Sequence, residues 1–337
     1  MTADKTGTIQ GIQYLRGLAA LGVVFCHYGS GLKPYPALSK IFSFGQNGVL
    51  VFFLISGFII VYSLIRANYA PRQFLKFLLK RSVRIDPSYF VTILLTLALF
   101  KVLSLIPSFK GESIPFIPGQ FLAHLFYYVP FTHYPFYNHI FWTLGVEFQF
   151  YLLIGTLYFI SANTIYRIAF LSVFALTCFI PFGNSYYLVF TYAPVFALGI
   201  SLVNFYQIKS WINIILPALL LGLIAYKFGL AAFILLSFSS TAIILTTFRS
   251  KMFFFFGQIS YSLYLTHGLS FILFYGCIKA THLNRDQNVL WWLCAEVIFA
   301  IANGYLFYLL IERPSLRMSK QIFYKKKPDK EGVKANS

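Results

Sequence analysis

Arg16 and His27 stand eleven residues apart in QYLRGLAALGVVFCHYG, a stretch with no other charged side chain. On a helix that spacing is three turns plus about 20°, so both side chains leave the same face, about 16 Å apart along the axis. An imidazole exchanges protons near neutrality, and a guanidinium is a permanent cation whose fork fits phosphate oxygens. Ionisable groups in an apolar helix are costly and mark a functional site; the structural alternative is a snorkelling arginine and a hydrogen-bonded core histidine. Glu147, in HIFWTLGVEFQFYLL, adds a carboxylate. Within reach of His27 it would orient the ring and stabilise its cation, as general-base chemistry requires; otherwise it is a protonated acid bonded to a neighbouring helix. Glu296 lies at a comparable depth and competes for the same role. His267, in ISYSLYLTHG, has Tyr264 one turn earlier on its face. That pair is either a polar contact in a cavity or part of a packed aromatic cluster. Arg81 and Arg84, spaced i, i+3 in RQFLKFLLKRSVRIDPSYF, form a two-pronged guanidinium site on a helix. They suit a phosphorylated ligand, or lipid headgroups beside a basic juxtamembrane segment.

The elements that must position these residues are membrane helices. Of 337 residues, 58% are hydrophobic, 20% aromatic and only 11% charged, against about 25% charged in a typical soluble domain. Mean hydropathy is +0.72. This excludes a water-soluble globule, a disordered chain and a nucleic-acid-binding domain, even though Lys and Arg outnumber Asp and Glu by 27 to 9. A window of roughly 20 apolar residues finds ten candidate spans, at 12–30, 48–66, 88–106, 140–160, 165–182, 186–205, 211–227, 229–247, 258–278 and 289–311. The expected fold is an all-α polytopic membrane protein of about ten transmembrane helices. With the N-terminus inside, nineteen basic residues fall in cytoplasmic segments and seven outside, Arg16 lying within the first span. That bias predicts cytoplasmic N- and C-termini. The polar first ten residues carry no small-residue cleavage site, so the first apolar run is read as a retained span. Residues 1–315 form the membrane domain and 316–337 a basic cytoplasmic tail. The stretch 107–139 is rich in Pro and aromatics and holds His124, His133 and His139; it is expected to cap the outer mouth. Cys26, Cys178, Cys277 and Cys294 sit in apolar runs without metal-ligand spacing, and no metal is expected.

Walker A, GxGxxG, HExxH and GxSxG elements are absent from the sequence, which removes support for nucleotide hydrolysis, Rossmann chemistry, zinc proteolysis and serine hydrolysis. The Arg16–His27 spacing is followed by GVLVFFLISGFII (48–60), RSVRIDP (81–87), WTLGVEFQFY (142–151), GQISYSLYLTHG (257–268) and IERP (311–314). In that order they resemble the acyltransferase-3 family of bacterial membrane O-acyltransferases, especially its short members that acetylate exopolysaccharide or lipopolysaccharide sugars. The resemblance implies an acyl-CoA donor, expected to be acetyl-CoA, bound from the cytoplasm. The implied acceptor is a cell-surface polysaccharide, lipopolysaccharide or lipid-linked glycan at the outer side of the bacterial inner membrane. It implies that His27 is essential for transfer, as general base or transient acyl carrier. Arg81 and Arg84 then meet the CoA phosphates, Arg16 sits along the donor's entry path, and Glu147 assists His27. Trp142, Tyr264 and His267 are expected to line the substrate cavity. The family's fourth-span motif often has two consecutive acidic residues, whereas here Phe148 follows Glu147. The competing class is a transporter or flippase, which also uses intramembrane Arg, His and Glu; no repeat symmetry in the sequence favours it.

Overall fold

The computed structural model describes residues 9–322, apart from 30, 31, 33, 106–113, 158–163, 184, 208–211 and 281–287. Among the described residues all regular structure is helical. The α-helices are α1 (Gln10–Gly29), α2 (Pro36–Ser43), α3 (Gly48–Arg66), α4 (Phe74–Leu103), α5 (Pro118–Leu125), α6 (Phe141–Leu157) and α7 (Thr164–Leu176). They continue as α8 (Ala193–Gln207), α9 (Ile212–Phe228), α10 (Leu230–Leu245), α11 (Lys251–Ala280), α12 (Val289–Phe307) and α13 (Arg313–Lys320). Among the described residues, five helical stretches are long and apolar enough to cross a membrane: Pro36–Arg66, Pro71–Leu103, Val189–Tyr206, Lys251–Ile278 and Val289–Lys320. In a bilayer every backbone polar group must be satisfied within the segment, which is why so apolar a chain folds as helices.

Each of the ten expected windows contains a helix, but several boundaries differ. The third window, 88–106, is only the second half of α4, which runs through Pro87. Its 30 residues span about 45 Å at 1.5 Å each, so the basic segment before Pro87 continues the same rod and Arg81 and Arg84 share it. The window 165–182 holds the 13-residue α7 and then a 3₁₀ turn at Thr177–Phe179. The window 186–205 begins with 3₁₀ turns before α8. The expected division near 228 falls at Gly229, whose φ of +85° needs a residue without Cβ. At the C-terminal end, α12 passes through a π turn at Tyr308–Glu312 into α13, which crosses the expected 315/316 boundary. The tail beyond 322 and the loop stretch 106–113 lie outside the described residues.

Two close helix contacts set the site. Gly17 and Gly257 let α1 and α11 touch backbone to backbone: a Cβ on Gly257 would collide with the Gln13 carbonyl. Gly57 and Gly199 do the same for α3 and α8, where a Cβ on Gly199 would collide with the Leu54 carbonyl. Small residues at helix interfaces are how membrane bundles gain packing without a hydrophobic driving force between helices.

Candidate active site

A cavity of about 300 Å³ is enclosed by α1, α3, α4, α6, α11 and the π turn. Of the residues singled out from sequence, Arg16, Arg81, Arg84, Glu147 and Tyr264 line it. Its α3 wall runs from Val49 to Ile60, eleven residues or about 16 Å by helix rise. Glu147 meets this wall at Ser56, and Tyr264 meets it at Phe52, one helical turn nearer the start of α3.

The three arginines are held differently. Arg81 is 8% exposed, its Nη2 donates to Ser63 Oγ at 2.9 Å, and its guanidinium lies over the rings of Phe77 and Tyr151 at 5.6 and 6.0 Å. Arg84, one turn later, faces the cavity beside it. Arg16 carries no hydrogen bond among the described residues; Glu312 and Glu147 act on it as opposite charges and Arg84 as a like one. Three guanidinium groups therefore face two carboxylates across one space, an arrangement suited to phosphate oxygens.

The structure does not bring Glu147 to His27. Glu147 Oε1 accepts from Ser56 Oγ and from the Tyr151 hydroxyl, both at 2.6 Å. The reason is helix height. Gly48, the first residue of α3, packs on α1 at Ala19 and Val23, so Ser56, eight residues further along α3, lies level with the Arg16 turn. Glu147 is thus an Arg16-level group, while His27 is near the far end of α1, about 16 Å away. Glu296, the other carboxylate considered, is 1% exposed on α12 and bears electrostatically on Tyr28.

His27 has instead an imidazole for a neighbour. Its ring centroid is 5.0 Å from that of His267, at an interplanar angle of 49°. His267 is 1% exposed, whereas His27 is exposed. Neither lines the cavity with the arginines. Between cavity and histidines stands Tyr264, whose hydroxyl is 2.9 Å from Thr143 Oγ1 and whose ring packs edge-on against Phe52 at 5.5 Å and tilted against His267 at 5.9 Å. Trp142 is also off the cavity: it packs between Phe53, Tyr186 and Tyr192. It points away from Thr143 because successive helix residues are 100° apart.

Phe148, in the place of a second acid, stacks on Tyr127 at 4.6 Å. Tyr127 also stacks on Tyr89 at 5.0 Å and donates to Asp86 Oδ1 at 2.8 Å. These contacts hold a left-handed backbone at φ 55°, a conformation costing about 1–2 kcal/mol. They fasten the 114–140 stretch to α4 and α6. That stretch carries His139, which lies within electrostatic range of His27.

Sequence reasoning missed Glu312 as a site residue. Its Oε2 accepts from the Ser262 backbone N–H at 3.1 Å and Ser262 Oγ at 2.5 Å, tying the π turn to α11. The IERP motif was the available signal, but the π turn that aims the carboxylate inward has no sequence signature. Ser56 and Tyr151, the hydrogen-bond donors to Glu147, lie within the motifs at 48–60 and 142–151, but nothing in their spacing singles them out.

The acyltransferase-3 family model, described as an acyltransferase domain, matches residues 9–309. Nodulation protein 10 of Rhizobium leguminosarum bv. viciae is 32% identical over 164 residues, covering 44% of this chain and 44% of that protein. The chain thus matches less than half the length of that relative. No solved structure matches it.

Proposed function

The chain belongs to the acyltransferase-3 family of multi-pass membrane proteins, and from that premise we propose that it transfers an acyl group, acetyl above all, from cytoplasmic acyl-CoA to a sugar hydroxyl. The acceptor is a surface polysaccharide, lipopolysaccharide or lipid-linked glycan at the outer face of the bacterial inner membrane. Ten crossings with both termini cytoplasmic put Arg16, Arg81 and Arg84 on the donor side and His27 on the acceptor side.

One observation carries this reading. A cavity lined by three arginines also reaches a tyrosine whose ring contacts the imidazole beside His27. The phosphates of CoA dock on Arg84 and Arg81, with Arg16 along the path. The pantetheine arm follows the α3 wall toward Tyr264. The thioester reaches His27 when the Phe52–Tyr264 end of the cavity yields. His27 removes the proton from the sugar hydroxyl, the oxygen attacks the thioester carbonyl, the C–S bond breaks, and the CoA thiolate recovers the proton from the imidazolium. In the covalent variant, His27 attacks first and passes the acyl group on. Label appearing on the protein after rapid quench with labelled acetyl-CoA and no acceptor identifies the covalent route. Glu147 holds Ser56 and Tyr151 and balances the arginines, a role at the donor end.

The test uses membranes carrying the native chain or His27→Ala with radiolabelled acetyl-CoA and the host's own glycan. Native membranes release CoA and label the sugar; the variant inserts normally and does neither. Full transfer by His27→Ala overturns the assignment, and glycan movement without CoA release restores the transporter reading.

A further inference from the structure

Resting on the reading of His27 just given, we propose that a second cavity, between the 129–139 stretch and Tyr187, is the acceptor subsite and takes one sugar ring of the glycan by its faces and hydroxyls. The cavity measures about 240 Å³, and Pro130, Thr132, Tyr134, Phe136, His139 and Tyr187 are among its lining residues. At about 30 Å³ per water it holds about eight water volumes, room for one ring and its substituents. Among the described residues no Lys, Arg, Asp or Glu lines it, so an ionic group would find no permanent charge to pair with. The lining offers aromatic faces and neutral polar tips instead, the combination that seats an apolar body and orients its polar groups. A sugar ring is a ligand of that kind, with C–H groups on its faces and hydroxyls around its edge.

The walls are held by side chains that bond to backbone. Gln149, on α6, donates from Nε2 to the Tyr187 carbonyl at 3.0 Å and accepts the Val189 N–H on Oε1 at 2.9 Å. Gln120, on α5, donates to the Pro135 carbonyl at 2.9 Å, and Thr132 Oγ1 accepts the Tyr134 N–H at 3.2 Å. Phe136 and Tyr187 join the two walls, their ring centroids 5.3 Å apart and their planes tilted by 58°. The His139 ring and the Tyr187 hydroxyl make no hydrogen bond among the described residues. Each can both donate to and accept from a sugar hydroxyl.

The position of the cavity fits the reaction. His139 is exposed and acts electrostatically on His27. The amide of Asn138, its neighbour in the chain, lies 3.7 Å from where a Cβ on Gly268 would sit. Gly268 follows His267, whose ring centroid is 5.0 Å from that of His27. This cavity shares no lining residue with the one that holds the arginines. Donor and acceptor therefore enter by separate cavities, and the seated ring turns one hydroxyl toward His27.

The experiment follows transfer from radiolabelled acetyl-CoA to the host's own purified glycan in membranes, varying each substrate in turn. It compares the native chain with Tyr187→Ala, Tyr187→Phe, His139→Ala and His27→Ala. Losing one ring contact or one neutral hydrogen bond costs about two- to tenfold in affinity. Tyr187→Ala should raise KM for the glycan about tenfold and His139→Ala about threefold, with KM for acetyl-CoA and kcat at saturating glycan within about twofold of native. Tyr187→Phe keeps the ring face, loses the hydroxyl and should fall between native and Tyr187→Ala. An unchanged glycan KM in Tyr187→Ala overturns the proposal, and so does a donor KM that rises in step with it. Should Tyr187→Ala fail to insert, His139→Ala decides, because that side chain is exposed. His27→Ala separates the two readings: its full activity defeats the assignment of His27, whereas its inactivity beside unchanged glycan KM in the Tyr187 and His139 variants defeats only the subsite.

Discussion

Arg84→Ala removes one of three guanidinium groups facing two carboxylates in the 300 Å³ cavity, taking the site from one net positive charge to none when all five are ionised. A hydrogen bond to a charged group contributes about 1.5–3 kcal/mol, which at 1.4 kcal/mol per decade is a loss of about ten- to a hundredfold in donor affinity. Two features of the structure place the result near the lower end. Arg84 is a like charge to Arg16, so its removal relieves a repulsion. Arg81 still presents a guanidinium fixed by Ser63. Arg81 is itself a poor probe, because deleting it strips the cation from the Phe77 and Tyr151 faces as well as from the ligand. The assay is acetyl-CoA titration of the purified protein in lipid nanodiscs, reading KM and kcat separately. KM should rise about ten- to thirtyfold with kcat within twofold of native. Arg84→Lys keeps the charge but not the fork and should lose less. A kcat collapse at unchanged KM would show that Arg84 serves the reacting centre, and the donor-site reasoning would fail.

Two other predictions concern the scaffold. Gly199→Ala pushes a Cβ into the Leu54 carbonyl and to 2.8 Å from the Phe58 nitrogen. Overpacking of this kind costs about 1–3 kcal/mol, so a lowered thermal midpoint is expected, and an unchanged one refutes the α3–α8 contact. His124 is fully buried, its Nδ1 donating to the Gln120 carbonyl at 2.9 Å and its Nε2 accepting the Tyr137 N–H at 3.1 Å. Burial pushes it below its ordinary value of 6.5, with the Gln120 bond opposing in part. Because the folded value is the depressed one, its stabilisation is complete above 6.5 and lost as pH falls through the folded value. Amide protection at Tyr137 should therefore drop as pH is lowered from 7 toward 5 in the native chain and stay level in His124→Gln; equal pH dependence in both refutes it.

Residue periodicity was legible from sequence wherever one helix sufficed. Arg16 lines the cavity and His27 meets His267 from the same side of α1 because eleven residues close three turns, and Arg81 and Arg84 share a cavity wall because three residues nearly close one. What one helix cannot encode is its height against another. Glu147 was placed beside His27 by assuming that α1 and α6 end level, whereas Gly48 seated against Ala19 and Val23 lowers α3, and Ser56 on α3 then claims the carboxylate. The third apolar window starts after Pro87, yet α4 passes through that proline and continues back to Phe74. Trp142 shares a motif with Thr143 and Glu147 but not their face, so motif membership overstated its place at the cavity.

The separation of charge from imidazole also explains why an aromatic end wall stands between them. His27 is open to its surroundings, and a thioester held beside an exposed general base hydrolyses unless water is kept from it. Phe52 and Tyr264 form a wall that excludes water when packed, and the Tyr264 hydroxyl bond to Thr143 keeps that ring in place at the cost of one ordinary hydrogen bond, about 1 kcal/mol. Thr143 stands one helical turn from Glu147, whose carboxylate faces the arginines proposed to hold the donor. One turn of α6 therefore joins the residue that holds Tyr264 to the carboxylate that faces the arginines.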